Sequence, residues 1–202
     1  MNKMLSVATR TLTTPIAGSD EDLLERMRFD DVEAYRLLVE RHIDHAYAVA
    51  MRILKIPADA EDVTQDALVK AWVNRHQWDA GRAKFSTWLY RVIVNRCIDK
   101  QRLVKTEWLD DVDEPAADIT DAVTLIHRQR VYDRLEDALH RLPTQQRVAI
   151  VLSYYEDMSN LEVSEVMGTT VGAVESLLKR GRKRLRELLR QVEGDIRVGL
   201  SD

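Results

Sequence analysis

The sequence predicts an all-α protein, and three observations support that fold class. Glycine and proline are scarce, at 7 and 4 of the 202 residues, so few positions interrupt a helix. Valine, leucine and alanine recur at spacings of three and four, the period of one buried helix face. Two expected helix starts carry an acidic residue three positions after a capping residue. We expect two small helical domains joined by an acidic, flexible linker.

The first two helices are predicted from their capping residues. Ser19 and Asp20 can begin a short first helix, and Asp30 with Glu33 resembles the start of a second. The second helix then carries apolar residues at spacings of three and four over residues 32–54. This stripe predicts a long helix with one buried face.

The next two helices are predicted from proline, glycine and aspartate positions. Pro57 ends the second helix, and Asp59 caps a third. The apolar face of this third helix consists of Val63, Ala67, Leu68, Ala71 and Trp72. Gly81 then breaks the chain, and a fourth helix follows over about 86–103. These elements make one domain over residues 20–105, preceded by a disordered tail over 1–19.

The second half of the chain begins with a linker. Residues 106–121 hold seven Asp or Glu and no Lys or Arg, without helical periodicity. Three elements then build a second domain over residues 122–193: a helix over about 122–141, a helix over about 144–156 and a helix-turn-helix. Residues 194–202 are expected to form a frayed tail.

The helix-turn-helix is predicted from its caps. Ser159 with Glu162 is a capping box, Gly168 suits the left-handed position after a helix end, and Thr170 is a good N-cap for the second helix. Such a second helix fits the major groove of DNA. Its expected exposed residues are Gly172, Glu175, Ser176, Lys179 and Arg180, with Arg182, Lys183, Arg184 and Arg186 available to phosphates. The plainer alternative is a solvated basic helix in a generic bundle.

A second candidate for nucleic-acid binding lies at residues 78–91. This segment holds four of the twelve aromatic residues of the chain, interleaved with Arg82, Lys84 and Arg91. Cations that follow a backbone and aromatic faces that stack on bases are typical of single-strand binding. Asn95 follows on the same helix and can contact a base edge. The alternative for Trp88 is that it is simply a core residue.

An acidic surface is predicted at the start of the third helix. Glu61, Asp62, Gln65 and Asp66 lie opposite its apolar stripe, and such a face suits a basic partner. The helix dipole alone accounts for the acidic residues nearest the helix start.

The charge distribution supports nucleic-acid binding more than the net charge of −4 does. Residues 171–190 hold seven Lys or Arg against two Glu, and residues 82–105 hold seven against one Asp. A single cysteine, Cys97, excludes an intramolecular disulfide and fits a reducing, cytoplasmic location. No apolar run is long enough for a transmembrane span. The scattered histidines predict no metal site, and no pattern predicts a cofactor or a catalytic residue, so we expect a protein that is not an enzyme.

Three segments together resemble a known family. Residues 59–68 (DAEDVTQDAL), 85–96 (FSTWLYRVIVNR) and 142–148 (LPTQQRV) with the helix-turn-helix are similar, in this order, to the extracytoplasmic-function (ECF, group four) sigma factors of bacterial RNA polymerase. The resemblance covers roughly residues 20–190. It identifies residues 20–105 as a domain like sigma region two and residues 122–193 as a domain like sigma region four.

The resemblance implies a role for each surface. It implies that Glu61, Asp62, Gln65 and Asp66 contact the β′ subunit of core polymerase, whose β and β′ subunits are the expected partners. It implies that the 79–84 loop, Trp88 and Asn95 bind the melted −10 strand. It implies that Ser176, Lys179 and Arg180 contact the −35 duplex, while Thr170, Lys183 and Arg184 complete that surface. Promoter DNA and an anti-sigma factor are the further partners that the resemblance implies, without membrane insertion.

Some positions depart from the family pattern, and two other functions remain open. Glu175, Ser164 and Gly181 are unusual, and Gly181 is expected to cost its helix about 1 kcal/mol relative to alanine. A stand-alone helix-turn-helix regulator would bind palindromic sites as a dimer, but it leaves the aromatic segment unexplained. A helical adaptor that binds acidic proteins would show no effect on transcription when Lys179 and Arg180 are replaced.

Overall fold

The computed structural model describes residues 18–78, 84–107 and 133–199. Within these ranges the regular elements are helices, with no strand, so the predicted all-α class is confirmed. We label the helices in chain order, with residues 133–140 as α5. The others are α1 Asp20–Arg28, α2 Val32–Leu54, α3 Pro57–Val73, α4 Phe85–Glu107, α6 Thr144–Tyr154, α7 Asn160–Met167 and α8 Val171–Gly199, with a 3₁₀ turn at Arg75–Gln77.

The first bundle consists of α1 to α4, with the long helices α2, α3 and α4 packed against one another. Its core is aliphatic, and the fully buried side chains include Leu38, Ile53, Val63, Leu89 and Ile93. Tyr35 ties α2 to α3, because its hydroxyl donates a hydrogen bond of 3.1 Å to the carbonyl of Leu68. The ring of Tyr35 also lies 5.1 Å from that of Trp72.

The predicted starts of the first two helices are half right. Ser19 forms a capping box with Asp22, as its position suggested. The second helix is capped by Asp31 and not by Asp30, because the Asp31 carboxylate accepts the amide hydrogens of Glu33 and Ala34. Asp30 instead adopts a left-handed backbone conformation with φ of 65° in the turn. The apolar stripe predicted over residues 32–54 includes Val32 and Ile43, but these two side chains are 64% and 38% exposed and do not belong to the buried face of α2.

The junction between α2 and α3 differs from the prediction. Lys55 ends α2 in a left-handed conformation with φ of 69°, before Pro57 is reached. Pro57 is the first residue of α3, where its missing N–H costs nothing. The N-cap is therefore Ile56, which makes no side-chain cap bond, and Asp59 lies in the first turn and is not the cap.

The predicted fourth helix is longer than its sequence limits suggested. It begins at Phe85, one residue before Ser86, and continues to Glu107, so it includes the first two residues of the predicted linker. The rest of the linker, residues 108–121, lies outside the described residues, as do Gly81 and residues 122–132.

The second bundle consists of α5 to α8. Val148, Val151, Val163 and Val174 form the centre of its core and are fully buried. The predicted frayed tail is wrong at its start, since α8 continues past Gly194 to Gly199. The cost assigned to Gly181 also needs correction. This glycine is buried, and a Cβ at its position would lie 2.8 Å from Cδ1 of Ile150, so its small size lets α8 approach α6.

The two bundles pack directly against each other, chiefly through α4 on α7 and α2 on α6. Buried apolar residues form one continuous cluster that includes members of both bundles. Arg147 on α6 is only 7% exposed and lies at this junction. Across the part of the chain described, no helix combines the length and apolar composition needed to cross a bilayer.

Candidate nucleic-acid interface

The turn between α7 and α8 is built by local hydrogen bonds. Ser159 and Glu162 form a complete capping box at the start of α7. Gly168 ends α7 in the left-handed conformation, with φ of 62°. Thr170 then caps α8, since its hydroxyl accepts the Ala173 amide hydrogen at 3.2 Å. The predicted helix-turn-helix therefore forms with its predicted caps.

The first turns of α8 have one buried and one exposed face. Val174, Leu177 and Leu178 pack into the bundle. The residues predicted to contact DNA all lie on the solvent side: Thr170, Ser176, Lys179, Arg180, Lys183 and Arg184. Arg182 is held by the Tyr154 hydroxyl at 2.8 Å, an orientation that the sequence pattern did not indicate.

Three aromatic side chains form a cluster at the start of α4. The rings of Trp78 and Phe85 lie 5.5 Å apart, those of Trp78 and Trp88 also 5.5 Å, and those of Phe85 and Trp88 6.1 Å. Phe85 is buried at 2% exposure, whereas Trp88 is partly exposed. Trp88 therefore contributes to packing and also presents a surface. The contact between Trp78 and Trp88 was not predicted. It joins the residue after the 3₁₀ turn to α4, and no local sequence pattern indicates such a contact.

Trp88, Arg91 and Asn95 share one side of α4, at successive spacings of three and four. Arg91 and Asn95 are exposed. Arg82 lies outside the described residues, and the only further predicted residue of this surface is Lys84. Its ammonium group lies 2.8 Å from the carboxylate of Glu162 on α7. This contact with Lys84, together with the Ser159 cap, lowers the pKa of Glu162 to about 2.

The predicted acidic surface on α3 is also exposed. Glu61, Asp62, Gln65 and Asp66 form two neighbouring rows at a spacing of four, which places them on one side of the helix. Cations of α4 border this surface: Arg96 lies 3.4 Å from Asp66, and Lys100 lies 3.5 Å from Asp62 and 2.6 Å from Asp59. Its bonds to Asp59 raise the pKa of Lys100.

Two exposed valines extend this α3 surface toward the end of the helix. Val69 and Val73 are 57% and 63% exposed. They continue the row of Glu61 and Gln65 at the same spacing of four, so the exposed side of α3 changes from polar to apolar along its length. The sequence pattern does not indicate these valines, because an exposed valine looks the same in a sequence as a buried one.

The histidines within the described residues make protein contacts. His42 lies 2.6 Å from the carboxylate of Asp20, and His45 lies 3.5 Å from that of Glu156. Among the described residues, no group of three or more His, Cys, Asp or Glu is placed to hold a metal ion.

The chain matches two family descriptions. Residues 38–106 match Sigma-70 region 2, and residues 132–185 match Sigma-70, region 4. It is 35% identical over 177 residues to the ECF RNA polymerase sigma factor SigM of Mycobacterium tuberculosis (strain ATCC 25618 / H37Rv), covering 85% of each chain.

The chain belongs to the ECF sigma factor family.

Other relatives agree with this assignment. The ECF sigma factor SigW of Bacillus subtilis (strain 168) is 29% identical over 180 residues, covering 84% of this chain and 96% of SigW. The solved structure of CnrH in complex with the cytosolic domain of CnrY matches with a TM-score of 0.63 and 31% identity, covering 85% of this chain and 97% of CnrH.

Family membership gives the general function of the two bundles. The chain is an ECF sigma factor, with a region 2 and a region 4 that bind core RNA polymerase and promoter DNA. Sigma factors act in transcription initiation and are not enzymes. In this chain the region 2 match falls on α2 to α4, and the region 4 match ends within α8.

Proposed function

We propose that this sigma factor recognises the −35 duplex with α8, binds the melted −10 strand with α4 and docks on core polymerase with α3. The observation that carries the proposal is the exposed face at the start of α8. This face exposes Ser176, Lys179 and Arg180, and it follows the turn at Gly168 that completes the helix-turn-helix. A helix presented in this way places its first turns on base edges in the major groove. Thr170, Lys183 and Arg184 border the same face and contact the backbone phosphates.

The −10 surface is proposed to be Trp88 with its neighbours on α4. The partly exposed indole of Trp88 shares one side of α4 with Arg91 and Asn95, so this side offers an aromatic ring, a cation and an amide. This combination suits an unpaired base, because stacking and cation contacts do not require a duplex. Arg82 and Lys84 complete the proposed surface by binding the phosphates of that strand.

The polymerase-binding surface is proposed to be the exposed side of α3. Glu61, Asp62, Gln65 and Asp66 would contact the β′ subunit, with β as the second polymerase contact. Acidic side chains there give electrostatic complementarity to a basic partner. Because the chain carries a net charge of −4, we expect isolated protein to bind promoter DNA poorly and to gain affinity only on core polymerase.

An anti-sigma factor is proposed as the regulatory partner. The structural relative CnrH was solved in complex with the cytosolic domain of CnrY. A partner of this kind would cover the exposed side of α3, including the apolar stretch at Val69 and Val73.

Run-off transcription with bacterial core polymerase and a random promoter pool tests the proposed function. We expect enrichment of a two-part motif with fixed spacing when the protein is present. Gln65→Ala with Asp66→Ala should abolish that enrichment, because both side chains belong to the proposed polymerase surface. The matched control is Glu40→Ala, which also removes an exposed carboxylate from an ion pair, here with Arg36.

The same experiment separates the alternative function. Retention of a palindromic duplex by the free protein, with no transcripts on core polymerase, would indicate a stand-alone helix-turn-helix regulator and contradict the proposal. Equal activity of the α3 variant and its Glu40→Ala control would contradict the assignment of the polymerase surface.

A further inference from the structure

An exposed arginine of α8 is held in place by a neutral partner. Nη1 of Arg182 donates a hydrogen bond of 2.8 Å to the hydroxyl of Tyr154, the last residue of α6. Both side chains are exposed, and the Tyr154 ring system keeps 53% of its surface in solvent. A long side chain loses conformational freedom when it binds a partner. The bond to Tyr154 orients the guanidinium beforehand and so reduces that cost.

The close approach of α6 and α8 brings these two side chains together. Gly181 precedes Arg182, and a Cβ at its position would lie 2.8 Å from Cδ1 of Ile150. Ile150 lies one helical turn before Tyr154 on α6. The packing that buries Ile150 against α8 therefore also brings Tyr154 within reach of Arg182. The pair depends on contacts within the second bundle alone.

The neutral partner leaves the charge of Arg182 uncancelled. In the described part of the chain Arg182 forms no ion pair, whereas Lys84 and Arg96 lie 2.8 and 3.4 Å from carboxylates. A carboxylate would orient a guanidinium but would also neutralise it. A phenol hydroxyl orients the guanidinium and leaves its charge, together with its remaining N–H donors, available to an anion.

The hydroxyl of Tyr154 is itself available to the same anion. A phenol hydroxyl both accepts and donates hydrogen bonds. Here it accepts from Arg182, and among the described residues its own proton has no acceptor. An anion bound to Arg182 would therefore find a second donor beside the first. Phosphate oxygens suit such a pair, because charge-assisted hydrogen bonds to them are short and strong.

The position of Arg182 on α8 indicates which anion it meets. Arg182 follows Lys179 by three residues and precedes Arg186 by four, so these three exposed cations share one side of the helix. Because the adjacent Gly181 is buried against α6, Arg182 lies at the edge of the exposed face. A helix in the major groove has base edges in front of it and a phosphate backbone beside it. A cation at this edge is therefore placed for a phosphate.

We propose that Arg182 and Tyr154 form a clamp for one backbone phosphate beside the −35 element. Arg182 supplies the charge. Tyr154 is a positioning residue that also donates its hydroxyl proton to the phosphate. This inference rests on the proposed function, since it requires α8 to enter the major groove at the −35 element. It adds the end of α6 to the proposed −35 surface.

Replacement of single promoter phosphates by neutral methylphosphonate tests the clamp. The probe is the promoter duplex enriched in the run-off experiment, and the protein is the full chain bound to core polymerase. At the clamped phosphate, methylphosphonate should weaken binding of the wild-type protein about tenfold. Arg182→Ala should remove nearly all of this sensitivity at that one position, and Tyr154→Phe should remove part of it.

The two substitutions should also differ in their dependence on salt. Arg182→Ala should lower the affinity for unmodified promoter about tenfold and reduce the slope of log affinity against log salt by about one, because it removes one phosphate-bound cation. Arg182→Lys should keep the wild-type slope. Tyr154→Phe should lower the affinity about three- to fivefold with an unchanged slope, since it removes no charge. In the Arg182→Ala background its effect should become smaller, because the group that it positions is gone.

The matched controls lie in the first bundle. Tyr35→Phe removes a hydroxyl that bonds to Leu68, and Arg36→Ala removes an exposed arginine that pairs with Glu33. Both controls should keep the wild-type sensitivity to methylphosphonate and the wild-type salt slope. An effect of the controls equal to that of the clamp variants would overturn the clamp. Additive effects of Tyr154→Phe and Arg182→Ala would overturn the positioning role of Tyr154.

Lys179→Ala with Arg180→Ala separates the clamp from the proposed function. If this variant loses promoter binding while Arg182→Ala and Tyr154→Phe behave like wild type, the clamp is overturned and the proposed function stands. If the run-off experiment enriches no motif, or if none of these substitutions affects promoter binding, the proposed −35 surface fails and the clamp fails with it.

Discussion

The two proposed DNA-binding surfaces hold their cations in different ways. On α8, Lys179 and Arg184 are exposed and make no ion pair within the described part of the chain. On and beside α4, Lys84, Arg96 and Lys100 each lie within 3.4 Å of a carboxylate from another helix. Lys179 and Arg184 are therefore available to phosphates. Of the proposed −10 surface, Lys84 is paired with Glu162, whereas Arg91 is exposed. We therefore expect the proposed −35 binding to depend more on electrostatics and the proposed −10 binding more on aromatic contacts.

The largest expected effect concerns α8. Lys179→Ala with Arg180→Ala should reduce promoter-specific transcription about 100-fold or more, because each lost base or phosphate contact costs about 1–3 kcal/mol. The dependence of promoter binding on salt should also become weaker. Run-off transcription over a series of salt concentrations measures both effects.

The control for the α8 variant removes equal charge elsewhere. Arg28→Ala with Arg36→Ala deletes one partly exposed and one exposed arginine of the first bundle, each of which pairs with a glutamate of its own helix. This control should retain transcription. An equal loss in both variants would show that net charge, and not the α8 face, controls DNA binding.

The second prediction tests the aromatic side of the comparison. Trp88→Leu keeps an apolar side chain but removes the stacking face, which is worth about 1–3 kcal/mol per base. Promoter melting, detected as permanganate reactivity of unpaired thymines, should fall about tenfold while duplex binding persists. Trp72→Leu is the matched control, because that indole is also partly buried and lies beside Tyr35 and Arg75. Equal melting by both variants would exclude Trp88 from the −10 surface.

The sequence predicted features that depend on neighbouring residues, and it did not predict contacts between distant segments. The helix-turn-helix was predicted down to its caps, because Ser159, Gly168 and Thr170 each act within three or four residues of their own position. The Trp78–Trp88 contact and the Lys84–Glu162 pair were not predicted. Both join segments that only the fold brings together, and no local pattern indicates them.

The errors at the helix boundaries have a similar cause. Asp30 and Asp31 are adjacent and are both good capping residues, so the sequence alone could not decide which adopts the left-handed turn. Asp59 is a good capping residue by type, but Pro57 begins α3 and the N-cap, Ile56, makes no side-chain cap bond.

The third prediction tests whether the helix-turn-helix is determined locally. Ser159→Ala removes the capping box and should lower the free energy of unfolding by about 1 kcal/mol. Ser159→Asp should restore most of that stability, since a carboxylate also caps a helix start. Urea denaturation of the full chain measures both variants. A loss that Ser159→Asp does not restore would show that Ser159 acts through something other than its cap.

The smallest expected effect is at Gly181 of α8, where a contact with Ile150 of α6 limits the size of the side chain. Gly181→Ala should gain about 1 kcal/mol of helix propensity. The new methyl would, however, lie 2.8 Å from Cδ1 of Ile150, which is only 3% exposed, and overpacking a core costs about 1–3 kcal/mol. We therefore expect no net stabilisation from this substitution.

Ile150→Val removes the atom that the new methyl would meet, so a double-mutant cycle measures the conflict directly. In the Ile150→Val background, Gly181→Ala should become stabilising, with a coupling of about 1 kcal/mol between the two sites. Urea denaturation of the four proteins gives this value. Additive effects would mean that the α6–α8 contact accommodates a methyl without strain and that Gly181 is an ordinary weak point of the helix. Coupled effects would show that tertiary packing against Ile150, and not local sequence alone, favours glycine at position 181.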